Sequence, residues 1–121
     1  MSIALKRIYE PVDRHDGRRY LVDRFWPRGI TKAAARLDGW LKELAPSDQL
    51  RKWFGHQPER FDVFRSRYAA ELALASVELD RIVDESKLHR VTLLYGARDP
   101  QTNHAVVLLQ CLQERLNRRQ S

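Results

Sequence analysis

The stretch 19–30 (RYLVDRFWPRGI) constrains the fold of this chain most, because a strand pattern in it stops abruptly. Its first half is rich in residues that favour strands. Pro27 cannot donate to a sheet ladder, and Gly29 allows backbone angles that other residues avoid. Thr31 is then well suited to cap a helix. The stretch therefore predicts a strand, a tight loop and a helix.

Polar residues gather where this predicted strand ends. In an open α/β sheet, ligands bind beyond the carboxyl ends of the strands. Asp23, Arg24, Trp26 and Arg28 would all be delivered to that edge, and two arginines with a carboxylate make poor core material. A binding site is therefore predicted here. The alternative is structural: Arg24 pairs with Asp23 or Glu43, and Trp26 packs against a helix.

Apolar spacing predicts the elements on either side of this stretch. Residues 3–9 alternate loosely and predict a first strand. The linker that follows is short for a parallel crossover, so this strand is either antiparallel to the second or parallel through a compressed connection. Over 32–44 the apolar residues fall at helical spacing and predict an amphipathic helix. Its apolar face would contain Leu37, Trp40, Leu41 and Leu44.

The second half of the chain predicts further helices and one buried strand. Ser47 caps a short helix that Gly55 closes. Pro58 begins a long helix reaching about residue 74, and Ser76 begins another. The run 90–95 (RVTLLY) is typical of a buried strand, and a last helix runs from 105 to about 117. Residues 1–121 are thus predicted to form a single α/β domain, with a small, mostly parallel sheet of at least three strands flanked by four or five helices.

The strand over 90–95 also runs into a polar loop and a helix start. If both strands are parallel, their loops open on the same edge, and Asp99, Asn103 and His104 converge with the arginines of the first loop. A histidine near a helix N-terminus tends to stay neutral, so His104 could act as a general base or as a hydrogen-bond donor. Asn103 and His104 could equally just satisfy the helix cap. His56 lies at the junction of two helices, where it could be functional or could simply cap or stack in the turn.

Charge and cysteine content limit the class of partner and compartment. The net charge of +6 and a pI near 9.9 favour anionic partners, although acidic residues are interspersed with the basic ones. The single Cys111 excludes an intramolecular disulfide and suits a reducing cytoplasm. No apolar run approaches the roughly 20 residues of a membrane span. Zinc, P-loop and dinucleotide motifs are absent from the sequence, so no metal or cofactor is predicted.

Four segments of the chain resemble one known family. They are LVDRFWPRGI (21–30), WLKELAPS (40–47), LRKWFGH (50–56) and LLYGARD with NHA (93–99 and 103–105), and the resemblance that they carry extends over nearly the whole chain in order. Together they resemble the YeaO-like family, bacterial domains of unknown function. The broader family has an Asp-Val-Arg pattern with a following Pro and Arg, and a Cys-His-Arg pattern at a later helix start. This chain keeps only His104 of the second pattern, so no thiol or metal role is carried over.

The resemblance selects the residues that the two loops deliver. It favours Arg24, Arg28 and His104 most, then His56, Tyr95 and Lys42, with Asp99 and Asn103 as supporting residues. In the predicted site, His104 and His56 would move a proton. The ligand would be held by Asp23, Arg24, Trp26, Arg28, Lys42, Tyr95, Asp99 and Asn103.

Two classes of function follow from this site. The first is a binder of, or an enzyme acting on, a small anionic ligand bearing phosphate or carboxylate, which arginines grip bidentately. Arg24, Arg28, Tyr95 and His104 should then line one cavity. The alternative is a nucleic-acid-binding or protein-interaction module that uses the basic surface. An extended basic stripe with exposed aromatic rings would favour that alternative.

Overall fold

A computed structural model describes the backbone of residues 2–120 and the side chains of residues 2–119. Residues 1 and 121 of the predicted domain lie outside this described part. The fold is α/β, as predicted. Its strands are β1 (Ile3–Arg7), β2 (Arg18–Leu21), β3 (Gly39–Trp40) and β4 (Val91–Tyr95), and its helices are α1 (Lys32–Ala35), α2 (Asp48–Phe54), α3 (Phe61–Leu72), α4 (Ser76–Ser86) and α5 (His104–Gln120).

The four strands form one parallel sheet in the order β1-β4-β2-β3. Strand β4 is buried at every residue and bonds to β1 on one edge and to β2 on the other. Its Val-Thr-Leu-Leu-Tyr sequence suits a strand covered on both faces. The orientation that the sequence left open is thereby settled: β1 is parallel, and it pairs with β4 rather than with β2.

The two faces of the sheet are packed differently. On one face, Val91, Leu93 and Tyr95 join a large core with α3, α4 and α5. The predicted apolar stripe of α3 is confirmed there, because Phe61, Phe64, Tyr68 and Leu72 are all buried. On the other face, Leu94 belongs to a smaller cluster that Trp26 and Trp40 cover. Within residues 2–120, no helix is long and apolar enough to cross a membrane.

The helix predicted over 32–44 is wrong. Only Lys32–Ala35 is α-helical, and Arg36 ends it in the left-handed conformation with φ 47°. A separate short 3₁₀ helix covers Lys42–Leu44. The chain then returns to the sheet: the Asp38 amide donates to the Arg19 carbonyl at 2.7 Å, and the Asp38 carboxylate accepts from the Arg19 amide at 2.8 Å. At Gly39 a Cβ would lie 3.0 Å from the Tyr20 ring, so a side chain there would crowd the ring where β3 approaches β2.

A buried ion cluster lies at the amino end of the sheet. The Asp16 carboxylate accepts from Lys6 Nζ at 3.0 Å and from Arg19 Nη1 at 2.5 Å. Arg19 also donates through Nε and Nη2 to the carbonyl of Ala35, the last residue of α1. Burial alone would raise the pKa of Asp16, but hydrogen bonds from the Asp13 amide, Lys6 and Arg19 outweigh it and hold that pKa below the ordinary value. This cluster ties β1, β2 and α1 together.

We predict that Asp16→Asn lowers the free energy of unfolding at pH 7 by about 3–5 kcal/mol, because Arg19 would be left buried without its counter-charge. The folded pKa of Asp16 is lowered, so its stabilisation is complete above about pH 4 and is lost as pH falls through the folded pKa. Urea unfolding between pH 7 and pH 2 measures both effects. The exposed Glu114→Gln is the control, and an equal loss in both variants would contradict the prediction.

Candidate functional site

A cavity of about 240 Å³ opens at the carboxyl ends of β2 and β4. Its walls come from the two loops that the sequence singled out and from α2, which the sequence had not placed there. This position matches the ligand-binding edge of parallel sheets. The lining residues are Asp23, Arg24, Phe25, Pro46, Arg51, His56, Gly96, Ala97 and His104.

The cavity begins where the hydrogen-bond ladder between β2 and β4 opens. The Val22 amide still donates to the Leu94 carbonyl at 3.0 Å. A regular parallel ladder would continue with the Gly96 amide donating to the Val22 carbonyl. Instead, the Gly96 amide donates to Asp23 Oδ2 at 2.9 Å, and His104 Nε2 lies 3.0 Å from the Val22 carbonyl. Two side chains thus replace one backbone bond.

The protonation of His104 follows from its neighbours. Its Nε2 lies 3.0 Å from the Val22 carbonyl and 3.1 Å from Asp23 Oδ1, and both of these atoms are acceptors. We therefore assign the proton to Nε2. This single N–H meets hydrogen-bond geometry only at the Val22 carbonyl. Asp23 Oδ1 is left buried without a hydrogen-bond donor among the described residues.

The loop after β4 is fixed in close contact with Asp23. Arg7 donates from Nε to the Ala97 carbonyl at 2.8 Å and from Nη2 to the Gly96 carbonyl at 3.3 Å. A Cβ at Gly96 would lie 3.0 Å from Asp23 Oδ2, which is tight for a side chain. Arg7 and the small Gly96 therefore hold the backbone that orients the Asp23 carboxylate.

Basic side chains form the opposite wall. Arg24 donates from Nε to the Pro46 carbonyl at 3.0 Å. Arg51 donates from Nη2 to Asp48 at 2.8 Å, while its guanidinium carbon lies 4.8 Å from the centre of the Phe25 ring. The hydrogen bonds from Arg51 and then Lys52 lower the pKa of Asp48. Arg51 Nε is buried in this wall and has no hydrogen-bond partner among the described residues.

Helix α2 delivers Arg51 and His56 to the cavity. As predicted, Ser47 caps this helix by accepting from the Leu50 amide, and Gly55 ends it in the left-handed conformation. His56 follows with φ 57°, a conformation that costs free energy outside glycine. The turn directs the exposed His56 back to the mouth of the cavity.

The structure brings together only part of the predicted site. Asp23, Arg24, His56 and His104 line the cavity, whereas Arg28 and Tyr95 do not, so the four side chains expected in one cavity are divided. Arg28 is exposed. Tyr95 is buried in the large core, and this burial is the main reason that its pKa is raised.

Two other predicted site residues pack on the smaller cluster. Trp26 donates through its indole nitrogen to the Ile30 carbonyl and contacts Trp40 edge-on, with ring centres 5.4 Å apart. Lys42 lies over the Trp40 ring, 4.0 Å from its centre, and is exposed. The structural alternative considered for Trp26 therefore describes its contacts better than the binding one does.

Asp99 and Asn103 organise the start of α5. The Asp99 carboxylate accepts from the amides of Gln101 and Thr102 and from the Thr102 hydroxyl, and the hydroxyl bond is the main reason that the pKa of Asp99 is lowered. Asn103 accepts from the Val106 amide at 3.2 Å, so it caps the helix, which was the structural alternative considered for it. Asn103 is buried and also lines a small recess of about 40 Å³ that adjoins the cavity.

Sequence reasoning missed Arg7, Phe25 and Arg51 as site residues. Arg51 follows Asp48 by three positions in a helix with a recognisable Ser47 cap, a spacing that usually indicates only a surface ion pair. Nothing local to Arg7 indicates that it reaches the loop after β4, because the two are brought together by the pairing of β1 with β4. Among the described residues, no group of three or more His, Cys, Asp or Glu is placed to hold a metal ion.

Comparison with known proteins agrees with the resemblance found in the sequence. A family model described as "Inactive DUF488-N3 subclade" matches residues 2–121. The "Uncharacterized protein YeaO" of Escherichia coli (strain K12) is 47% identical over 108 residues, 89% of this chain and 94% of that protein. An uncharacterized protein of Mycobacterium tuberculosis (strain ATCC 25618 / H37Rv) is 45% identical over 115 residues, 93% of this chain and 95% of that protein. No solved structure was found to match. The chain therefore belongs to the YeaO-like DUF488 family, in the subclade described as inactive.

Proposed function

We propose that this protein binds a small anionic ligand in the cavity at the carboxyl ends of β2 and β4, without converting it chemically. The observation that carries the proposal is the unpartnered Arg51 Nε in the cavity wall. A buried N–H without an acceptor costs free energy, and an arginine in this state is ready for a bound oxyanion.

The charges of the cavity favour an anion. Arg24 and Arg51 contribute two permanent positive charges to its walls, and Asp23 contributes the one carboxylate. Asp48 neutralises part of the Arg51 charge, but it accepts from Nη2 and leaves Nε without a partner among the described residues. His56 at the mouth adds a further charge when it is protonated. An oxyanion bound here would accept from Arg51 in a partly desolvated site, where a charge-assisted hydrogen bond is strong.

Binding without turnover has two supports. The subclade to which the chain belongs is described as inactive. In addition, the Nε2 proton of His104 is already engaged by the Val22 carbonyl, and the same nitrogen lies 3.1 Å from Asp23 Oδ1. We therefore assign His104 a positioning role for Asp23. The catalytic roles predicted for His104 and His56 stay predictions.

Nucleic acid is the less favoured partner. Trp53 is only partly exposed, and the guanidinium groups of Arg60 and Arg67 already lie 5.3 and 4.7 Å from the centre of its ring. A ring that contacts two cations in this way offers little free face for base stacking. The basic residues also alternate with acidic ones, so a continuous stripe for a phosphate backbone has no support in the sequence.

Replacing Arg51 tests the anion site. We predict that Arg51→Gln weakens binding of phenyl phosphate by about 10- to 100-fold, the loss typical of one charged hydrogen bond. Isothermal titration calorimetry at low ionic strength measures this. Arg118→Gln removes the same charge from the exposed end of α5 and is the matched control. Equal losses in the two variants would mean that net charge, rather than this cavity, attracts the probe.

Replacing His104 tests its positioning role. His104→Ala leaves the Val22 carbonyl without a donor, so we predict that the free energy of unfolding falls by about 1–3 kcal/mol. Exposed His89→Ala should change it by less than about 0.5 kcal/mol. Urea unfolding of both variants gives the comparison. An unchanged stability in His104→Ala would show that the fold does not need this ring, and would favour a catalytic role instead.

A further inference from the structure

We infer that the ligand of this cavity is a phosphomonoester bound in its singly protonated form, and that Asp23 selects for the proton that it carries. This inference rests on the proposed anion site and specifies its ligand. The observation behind it is a second unsatisfied atom: Asp23 and Arg51 both line the cavity, and Asp23 Oδ1, like Arg51 Nε, is buried and lacks a hydrogen-bond partner among the described residues. Two residues of the cavity wall thus carry one donor and one acceptor that the protein itself leaves unpaired.

The acceptor atoms around Asp23 outnumber the N–H donors that lie near them. Oδ2 is served by the Gly96 amide at 2.9 Å. Oδ1 and the Val22 carbonyl share one nearby N–H, that of His104, at 3.1 and 3.0 Å. One N–H directed to the carbonyl cannot satisfy the carboxylate as well, and directing it to the carboxylate would leave the carbonyl unpaired. A ligand that brings its own donor resolves this shortage.

A carboxylate inside an anion site discriminates among anions. A sulfate ester or an ionised carboxylate carries no proton near neutral pH, so its oxygens would be repelled by Asp23 Oδ1. A phosphomonoester has a second pKa near 6 and can retain one proton at little cost. Its O–H would then donate to Asp23, while its ionised oxygens accept from Arg51. Both unpaired atoms of the cavity would be satisfied by one group.

The cavity also limits the size and shape of the rest of the ligand. Its volume of about 240 Å³ suits a small headgroup rather than a large cofactor. At its mouth Phe25 is 57% exposed, an unusual position for a large apolar ring. Arg51 lies against this ring and holds it beside the opening. An organic group attached to the phosphate would therefore leave the cavity along an aromatic surface.

Phenyl phosphate and phenyl sulfate are a matched pair of probes, because they share a phenyl ring but only the phosphate can retain a proton near neutral pH. At pH 6, we expect the protein to bind phenyl phosphate at least 10-fold more tightly than phenyl sulfate in isothermal titration calorimetry. In Asp23→Asn the amide can donate to either anion, so the preference should fall to about 3-fold or less. Asp62→Asn, on the exposed side of α3, should keep the full preference.

Proton uptake gives a second measurement that needs no variant. Titrations at pH 7 in two buffers of different ionisation enthalpy should show more proton uptake with phenyl phosphate than with phenyl sulfate. Phenyl sulfate cannot itself take up a proton at this pH, so its titration is the baseline for the phosphate. If both probes bind equally and with equal uptake, the inference is overturned but the anion site stands. If neither probe binds, the proposed function fails with it.

Discussion

The end of the hydrogen-bond ladder between β2 and β4 is the feature on which the site depends. Strand β4 is bonded on both edges and buried on both faces, so its position is fixed by the core. Beyond Leu94 the backbone bonds stop, and the Asp23 carboxylate and the His104 ring take over the Gly96 amide and the Val22 carbonyl. A sheet that continued regularly would place backbone where the cavity now lies.

The architecture of the site is therefore built from the core outwards. Arg7 is carried by β1, the edge strand beside β4, and it holds the two carbonyls of the loop after β4. Helix α2 is packed against α3 through stacked Phe54 and Phe64, whose ring centres are 4.4 Å apart. That contact holds the helix that carries Arg51 into the cavity wall. Arg51 and Asp23 line one cavity and each keeps a buried polar atom without a hydrogen-bond partner among the described residues, at a cost that a ligand would offset.

Much of this fold could be predicted from residue patterns. The run 90–95 is apolar and β-branched, which identified the central strand, and the spacing of Phe61, Phe64, Tyr68 and Leu72 identified α3. The same is true of part of the site. Two strand–loop–helix units in a parallel sheet must open on one edge, and this argument alone brought Arg24 and His104 together.

The errors arose where local spacing was ambiguous or where a contact is distant in sequence. Leu37 and Trp40 cover one face of the sheet while Leu41 and Leu44 join the core on the other, so their helical spacing reflects a chain that crosses the sheet edge. Local pattern could not reveal that the Arg19 and Asp38 backbones bond to each other. For Arg51 the visible partner was Asp48, and its unpaired Nε became apparent only once Asp23 and Phe25 were placed around it.

The most direct test of the account follows individual N–H groups in a ¹H–¹⁵N NMR titration with inorganic phosphate. We predict that the Arg51 Nε–H signal and the Gly96 amide signal shift together and reach saturation at the same phosphate concentration, since both residues line one cavity. Stationary signals from Arg51 and Gly96, with shifts instead at the Nε–H groups of Arg60 and Arg67, would contradict it. Phosphate would then bind the basic surface around Trp53.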